Sequence, residues 1–250
     1  NALLRSPVPM VVTLHDLIPL KRRGELMRTG LGMRMQRLAV QRAVRVIVPS
    51  AVVAADAAER LDVAPDRITV IPEAAAAVLH QRSEKEVAAA RARHRLPERY
   101  LLWVGSLERH DPRKRVAAMA DAPRRTPLVL AGPAGRWARE LEDVILTGEV
   151  SDDDLAAIYT GAQALVFPSE DEGFGLPAVE ALACGTPVVA CDIPALREVL
   201  GDRATFVPPD DLEALLAAGE AATRPAPPPP AFTWADAAAA TLDGYADAAK

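Results

Sequence analysis

Two glutamates, Glu172 and Glu180, stand seven residues apart and bracket a glycine-containing turn. An apolar run, residues 164–167, precedes the turn and reads as a buried strand; another, residues 188–190, follows it. Gly173 and Gly175 leave the backbone bare, so a ligand can approach the amides closely. Pro177 suits the first turn of a helix, where its missing N–H costs nothing. Gly185 and Pro187 stop that helix. A strand, a glycine turn and a helix start together form an anion site from orphan N–H groups and the helix dipole. The two carboxylates would repel a phosphate but accept hydrogen bonds from hydroxyls. A ligand carrying both phosphate and hydroxyls, such as a nucleotide sugar, uses both parts. The competing reading is a tight turn with two solvated glutamates.

The elements that position these residues fall into two alternating sets. Strands at residues 8–14, 44–48 and 68–71 enclose a helix near 29–43, where Leu31, Met35 and Leu38 have helical spacing, and a second helix capped by Ser50 and ending near Leu61. Strand–helix–strand alternation predicts parallel strands with crossover helices. The pattern lapses over residues 73–82, and Ser83 with Glu86 then forms a capping box. Strands follow at 100–104, 128–130, 144–146, 164–167, 188–190 and 205–207. Helices fall near 114–120, 136–142, 152–161, 176–183, 194–199 and 210–222. A proline run at 225–230 is a stiff spacer leading to a helix over 233–248 that carries Trp234, Leu242 and Tyr245. The predicted organisation is α/β. An incomplete Rossmann-like domain spans residues 1–78, a fuller one 79–230, and a helix at 231–250 docks back on the first.

Composition narrows the class. The chain has 250 residues, half of them hydrophobic, and a net charge of −5, which argues against a nucleic-acid binder. Residues 21–45 run against that balance: Lys21, Arg22, Arg23, Arg28, Arg34, Arg37, Arg42 and Arg45 face Glu25 alone. That segment is either a solvated helix face or a contact for anionic lipid or an anionic acceptor. Cys184 and Cys191 lie outside any C-x-x-C pair and read as small buried residues, and His15, His80, His94 and His110 lack metal-ligand spacing. No apolar run is long enough to span a membrane. The expectation is a cytoplasmic chain, or one peripheral to the inner face of the membrane. It starts at Asn1 already close to a strand pattern, as a fragment or processed chain would.

The string running from Pro168 through Glu172, Gly173-Phe-Gly-Leu-Pro177 and Glu180 to Val189 resembles the signature of family 4 retaining, nucleotide-sugar-dependent glycosyltransferases, which have the two-domain GT-B fold. Val104-Gly-Ser-Leu-Glu-Arg-His-Asp-Pro-Arg-Lys114 is similar to the loop after the first strand of that family's donor domain, and Gly148-Glu-Val-Ser151 to its Gly-x-Val-Ser segment. Thr13-Leu-His-Asp-Leu-Ile-Pro19, Val48-Pro-Ser50 and the segment from Arg67 to Glu73 look like parts of the acceptor-side domain. The resemblance implies that Glu180 binds the donor ribose. It gives the transferred sugar to Glu172 with the amides of Gly173, Phe174 and Gly175, and adds Leu176 to the donor site. Arg113 and Lys114 would neutralise the diphosphate, Val150 would meet the base, and Gly105 and Arg109 would belong to the donor loop. His15 would lie near the reacting sugar carbon and the acceptor. The implied partners are a nucleotide-sugar donor and a glycan, lipid-linked or small-molecule acceptor. No metal or cofactor is expected.

The chain also departs from the pattern. Ser106 stands where many members carry arginine, so Arg109 or Arg113 takes that function; Ala74 stands where a glycine is usual. The early glycine-rich loop and first strands of the acceptor-side domain are expected to be absent. A truncated acceptor half also allows a second reading, a nucleotide-sugar-binding module without activity. Asp152, Asp153 and Asp154 follow Ser151 and open a helix, so capping and dipole complementarity explain them better than a metal-binding Asp-x-Asp. Trp103, Trp137 and Trp234 read as core or docking residues.

Overall fold

The computed structural model describes residues 8–17, 35 and 37–249. The chain divides into two compact units, one of Asn1–Glu73, Glu172–Phe174 and Phe232–Lys250, the other of Ala74–Asp171 and Gly175–Ala231. The basic positions Lys21 to Arg34, and Leu31 of the first expected helix, lie outside the described residues. Of that helix, residues 37–42 are helical, with Ala39 and Val40 buried. Met35 and Leu38 are exposed, so they do not supply its core face.

In the first unit, β1 (Val11–Thr13), β2 (Arg45–Val48) and β3 (Ile68–Val70) form a parallel sheet in that order. Side chains alternate across it. Val46 and Val48 join Val53, Ala57 and Leu61 of the helix Ala51–Leu61, whose four-residue spacing makes one stripe. Ile47 points the other way and packs with Ile71 against Ala237 of the C-terminal helix Trp234–Ala248. Both faces of the sheet are thus covered by helix, as parallel sheets require. Trp234, read as a core or docking residue, is 49% exposed, and the helix packs on the sheet through Ala237 and Ala240.

Residues 172–174, read from the sequence as part of the second domain, group with the first unit. The cause is local. Ser50 Oγ accepts from Val53 N at 3.2 Å, capping its helix, and donates to the Gly173 carbonyl at 2.7 Å in a buried position. Ser50→Ala removes both bonds. It should lower stability by about 2 kcal/mol, the sum expected for a lost cap and an orphaned buried carbonyl. Urea denaturation measures this, and a loss below about 0.5 kcal/mol would leave the bridge energetically idle.

The second unit is a six-stranded sheet in the order β6-β5-β4-β7-β8-β9, with every neighbouring pair parallel. Its strands are β4 (Leu101–Val104), β5 (Leu128–Ala131), β6 (Val144–Gly148), β7 (Ala164–Phe167), β8 (Val188–Cys191) and β9 (Ala204–Val207). β5, β7 and β8 are buried along their whole length, which is why they read as unbroken apolar runs. The helices include Asp152–Gly161 and Leu176–Ala183, at the predicted positions. The expected helix at 136–142 is only a 3-10 turn, Trp137–Glu140. Gly135 N donates to Leu107 O and Leu107 N to Pro133 O, so the chain stays tied to the neighbouring loop until just before this turn. Too few residues then remain before β6 to nucleate an α-helix.

Candidate functional site

The strand order of the second unit reverses direction between β4 and β7. In an open parallel sheet, the loops leaving the carboxyl ends of two such strands part and leave a crevice, the usual ligand position. The loop after β4 carries Gly105, Arg109, Arg113 and Lys114; the chain after β7 leads to the helix Leu176–Ala183 and Glu180. The two loops are tied together: Glu170 N donates to Arg113 O at 3.0 Å, and Arg113 Nη1 donates to Asp171 O at 3.2 Å.

Gly105 lies where any side chain would collide: a Cβ there would stand 2.7 Å from the Trp103 ring. The same buried ring faces Lys114, whose Nζ lies 5.6 Å from its centroid, within cation–π range. Among the described residues no carboxylate pairs with Lys114. Arg113 differs. Its guanidinium is clamped by Asp111, with Nε 3.0 Å from Oδ1 and Nη2 on Oδ2. The resemblance gives Arg113 and Lys114 jointly the task of neutralising the diphosphate; Arg113 lies in the 3-10 turn Pro112–Lys114, paired with Asp111, and braces one loop to the other. Arg109 is exposed.

Gly175 is the N-cap of the switch-point helix at φ 89, and a Cβ there would come 2.3 Å from Leu196 Cδ2. Glycine is therefore demanded by backbone conformation and by packing. Leu176 and Pro177 open the helix, and Glu180 lies one turn in. Tyr159, fully buried near the end of Asp152–Gly161, donates its hydroxyl to Glu180 Oε2 at 2.9 Å. One oxygen is thereby fixed, and Oε1 remains to accept from a ligand. Burial pushes the Glu180 carboxyl above its ordinary value and Asp152 adds to this, while the Tyr159 bond opposes it. Burial, and then the Glu180 charge, hold the Tyr159 phenol well above its ordinary value, so it stays a donor. Tyr159 was missed as a site residue. The signal was a tyrosine on the buried face of a helix, since a buried phenol needs a partner.

Val150 follows Gly148 and precedes the cap Ser151, half-buried at the carboxyl end of β6. The aspartates after Ser151 are structural: Ser151 caps the helix, Asp153 pairs with Arg82, and Asp154 pairs with Arg93 and with His94 at 2.9 Å. Both cysteines are buried; burial pushes Cys184 up to about 12 and Cys191 up to about 11, so neither is a nucleophile.

In the first unit, His15 follows β1 and Glu73 follows β3, so the parallel sheet delivers both to one edge. His15 Nδ1 lies 2.7 Å from Glu73 Oε1, and the imidazole is otherwise exposed. A carboxylate on one ring nitrogen orients the other, the arrangement of a directed hydrogen-bonding group or base. Glu73 was not among the candidates from sequence. A cavity of about 530 Å³ lies beside the pair, walled by Ile47, Ile71, Trp234 and Leu242. At Gly173 a Cβ would stand 2.1 Å from His15 O. The missing Cβ at Gly173 thus lets the His15 carbonyl pack close. Phe174 is buried, its ring tilted by 51° against that of Phe232 at 6.0 Å, while Glu172 is half-buried.

The comparisons with known proteins agree with this layout. Residues 98–222, half of the chain, match the family model for glycosyl transferases group 1, and residues 1–75 match that for glycosyltransferase family 4. The serotype-specific mannosyltransferase WbdA of Escherichia coli is 30% identical over 233 residues, covering 83% of this chain and 28% of that protein. The chain thus spans about a third or less of the WbdA proteins it matches. Sucrose-phosphate synthase of Thermosynechococcus elongatus superposes with a TM-score of 0.70 at 24% identity, over 95% of this chain and 67% of that one. Anabaena HepE, solved with UDP-glucose, gives 0.68 at 20% identity, over 85% and 62%. Two parallel α/β sheets and both family models agree: the chain belongs to the family 4 glycosyltransferases and has the GT-B fold.

Proposed function

We propose that this chain takes part in retaining transfer of a hexose, mannose or glucose, from a nucleotide-sugar donor to a glycan, lipid-linked or small-molecule acceptor of the cell envelope or of a polysaccharide. The observation that carries the reading is the pairing at the switch point of the second unit. Lys114, with no carboxylate partner among the described residues, lies in the loop after β4, and Glu180, held by Tyr159, lies on the helix after β7, the two strands between which the sheet order reverses. A nucleoside diphosphate supplies what each lacks: phosphate oxygens for the ammonium and ribose hydroxyls for Glu180 Oε1. Lys114 then stabilises the departing diphosphate as charge develops on it, a role that needs no metal. Glu172 holds the sugar, and His15, oriented by Glu73, serves the acceptor side. The mannosyltransferase name of WbdA and the UDP-glucose bound to HepE support this donor class.

The test is a panel of UDP- and GDP-hexoses, with thermal shift for binding, product release for turnover, and NMR of the product for its anomeric configuration. Binding raises the melting temperature by mass action. Inverted product overturns the retaining mechanism. Nucleoside diphosphate binding without transfer to any acceptor leaves a donor-binding module in its place. Glu172→Ala should lower transfer about 10- to 100-fold, as for a lost hydrogen bond to a charged group, with nucleoside diphosphate affinity within about twofold of the parent. An equal loss of affinity in calorimetry would move Glu172 to the nucleotide.

A further inference from the structure

At the amino-terminal edge of the second unit's sheet, opposite the switch-point loops, lies a cleft of about 620 Å³. Residues just before β4 and just before β7 border it, joined where Gln163 N donates to Tyr100 O at 2.8 Å. Four arginines line it: Arg82, Arg91, Arg99 and Arg224, against the carboxylates Glu84 and Glu98. Arg82 is spoken for, paired with Asp153 at 2.7 Å and Glu86 at 3.5 Å. Arg91 and Arg224 have no carboxylate partner among the described residues. Arg91 donates to Gly161 O at 3.0 Å, and Arg224 donates to Gly185, Thr160 and Ala162 O, each at 2.7 Å, and to Thr186 Oγ1 at 3.5 Å, all of them neutral acceptors.

Part of this arrangement is structural. The helix Asp152–Gly161 ends here, and cations at a helix C-terminus complement its dipole and its free carbonyls. That account leaves a remainder. The Nε atoms of Arg82 and Arg91 are buried and have no acceptor. Burial holds the Arg224 guanidinium below its ordinary value, with Tyr100 opposing and the Arg91 charge adding to it; the two guanidiniums line one cleft with no ion pair to either among the described residues. Uncompensated like charges and orphaned buried donors are both costly.

We propose that this cleft binds a small phosphate-bearing anion, whose oxygens accept from the unneutralised Arg91 and Arg224 with Arg99 at the rim. Several guanidinium forks arriving from different elements suit a tetrahedral anion with many acceptor sites. Glu84 and Glu98 disfavour the more highly charged polyanions. The site is separate from the donor crevice and does not depend on the proposed donor chemistry.

Nitrogen-15 NMR of the arginine Nε–H groups in the whole chain, titrated with inorganic phosphate and then pyrophosphate, tests it. Saturable shifts of Arg82 and Arg91 are expected, persisting in Lys114→Ala. Arg224→Gln should weaken phosphate binding about tenfold or more, as for a charge-assisted bond. Arg99→Ala, on the exposed rim, should weaken it about two- to fivefold. Should Arg224→Gln fail to fold, the shifts and Arg99→Ala still decide. No shift at Arg82 and Arg91, or binding abolished by Lys114→Ala, overturns the proposal and returns phosphate to the donor crevice.

Discussion

Lys114→Ala should lower the rate constant for sugar transfer by about 10²–10³, the loss typical of one preorganised group removed from developing charge. Its neighbour Arg113 provides the contrast. Arg113 and Lys114 are adjacent, equally charged and, by sequence, interchangeable. The fold gives Arg113 to Asp111 and to the carbonyl of Asp171, so its charge is neutralised before any ligand arrives. Lys114 lies 5.6 Å from the Trp103 ring and keeps its charge for the crevice. A cation–π contact directs the ammonium without cancelling it, whereas an ion pair cancels it. Arg113→Ala should therefore act through loop anchoring. It raises KM for the donor and lowers stability by about 1 kcal/mol, with a much smaller fall in kcat. Single-turnover rates for both variants check this. Equal falls in kcat would mean that the two cations share the diphosphate and that the Asp111 clamp opens on binding.

That contrast also marks where sequence reading stops. Apolar runs and cap residues are local signals, and they placed Ser50, Ser83 and Ser151 at their helix starts and set the strand run Ala164–Phe167 correctly. The chain order of strands is local too, but their spatial order is not. That Glu180 meets Tyr159, or that His15 meets Glu73 across 58 positions, follows from which strands lie side by side. No pattern of spacing encodes such pairs. The glycines carry a similar lesson. Gly173 and Gly175 sit in a motif that invites a ligand explanation, yet the nearest atoms to their missing Cβ atoms belong to His15 and Leu196. A glycine needed for close approach looks the same in sequence whether ligand or protein approaches.

Tyr159→Phe should shift the pH dependence of nucleoside diphosphate binding, and Glu180→Ala should abolish that dependence together with most of the affinity. Glu180 must be ionised for Oε1 to accept from ribose hydroxyls while Oε2 accepts from Tyr159. Burial raises its pKa, so protonation competes with binding at a higher pH than for an exposed glutamate. Affinity therefore falls as pH drops through that raised value. The Tyr159 hydroxyl bonds the ionised form and pulls the pKa down; phenylalanine removes this and moves the acid limb to higher pH. For stability the sign is opposite. A carboxyl with a raised folded-state pKa binds its proton more tightly in the native state. Its contribution is thus most favourable at acid pH and is lost as pH rises through the folded value. Tyr159→Phe should widen that window while leaving a cavity no larger than an oxygen atom. Glu180→Ala should weaken binding about 10- to 100-fold near neutral pH, as expected for a lost hydrogen bond to a charged group. Calorimetry of nucleoside diphosphate from pH 5 to 8 on the parent and both variants separates these effects. An acid limb that stays in place in Tyr159→Phe would show that the tyrosine only fills space, and affinity unchanged in Glu180→Ala would remove the ribose from Glu180.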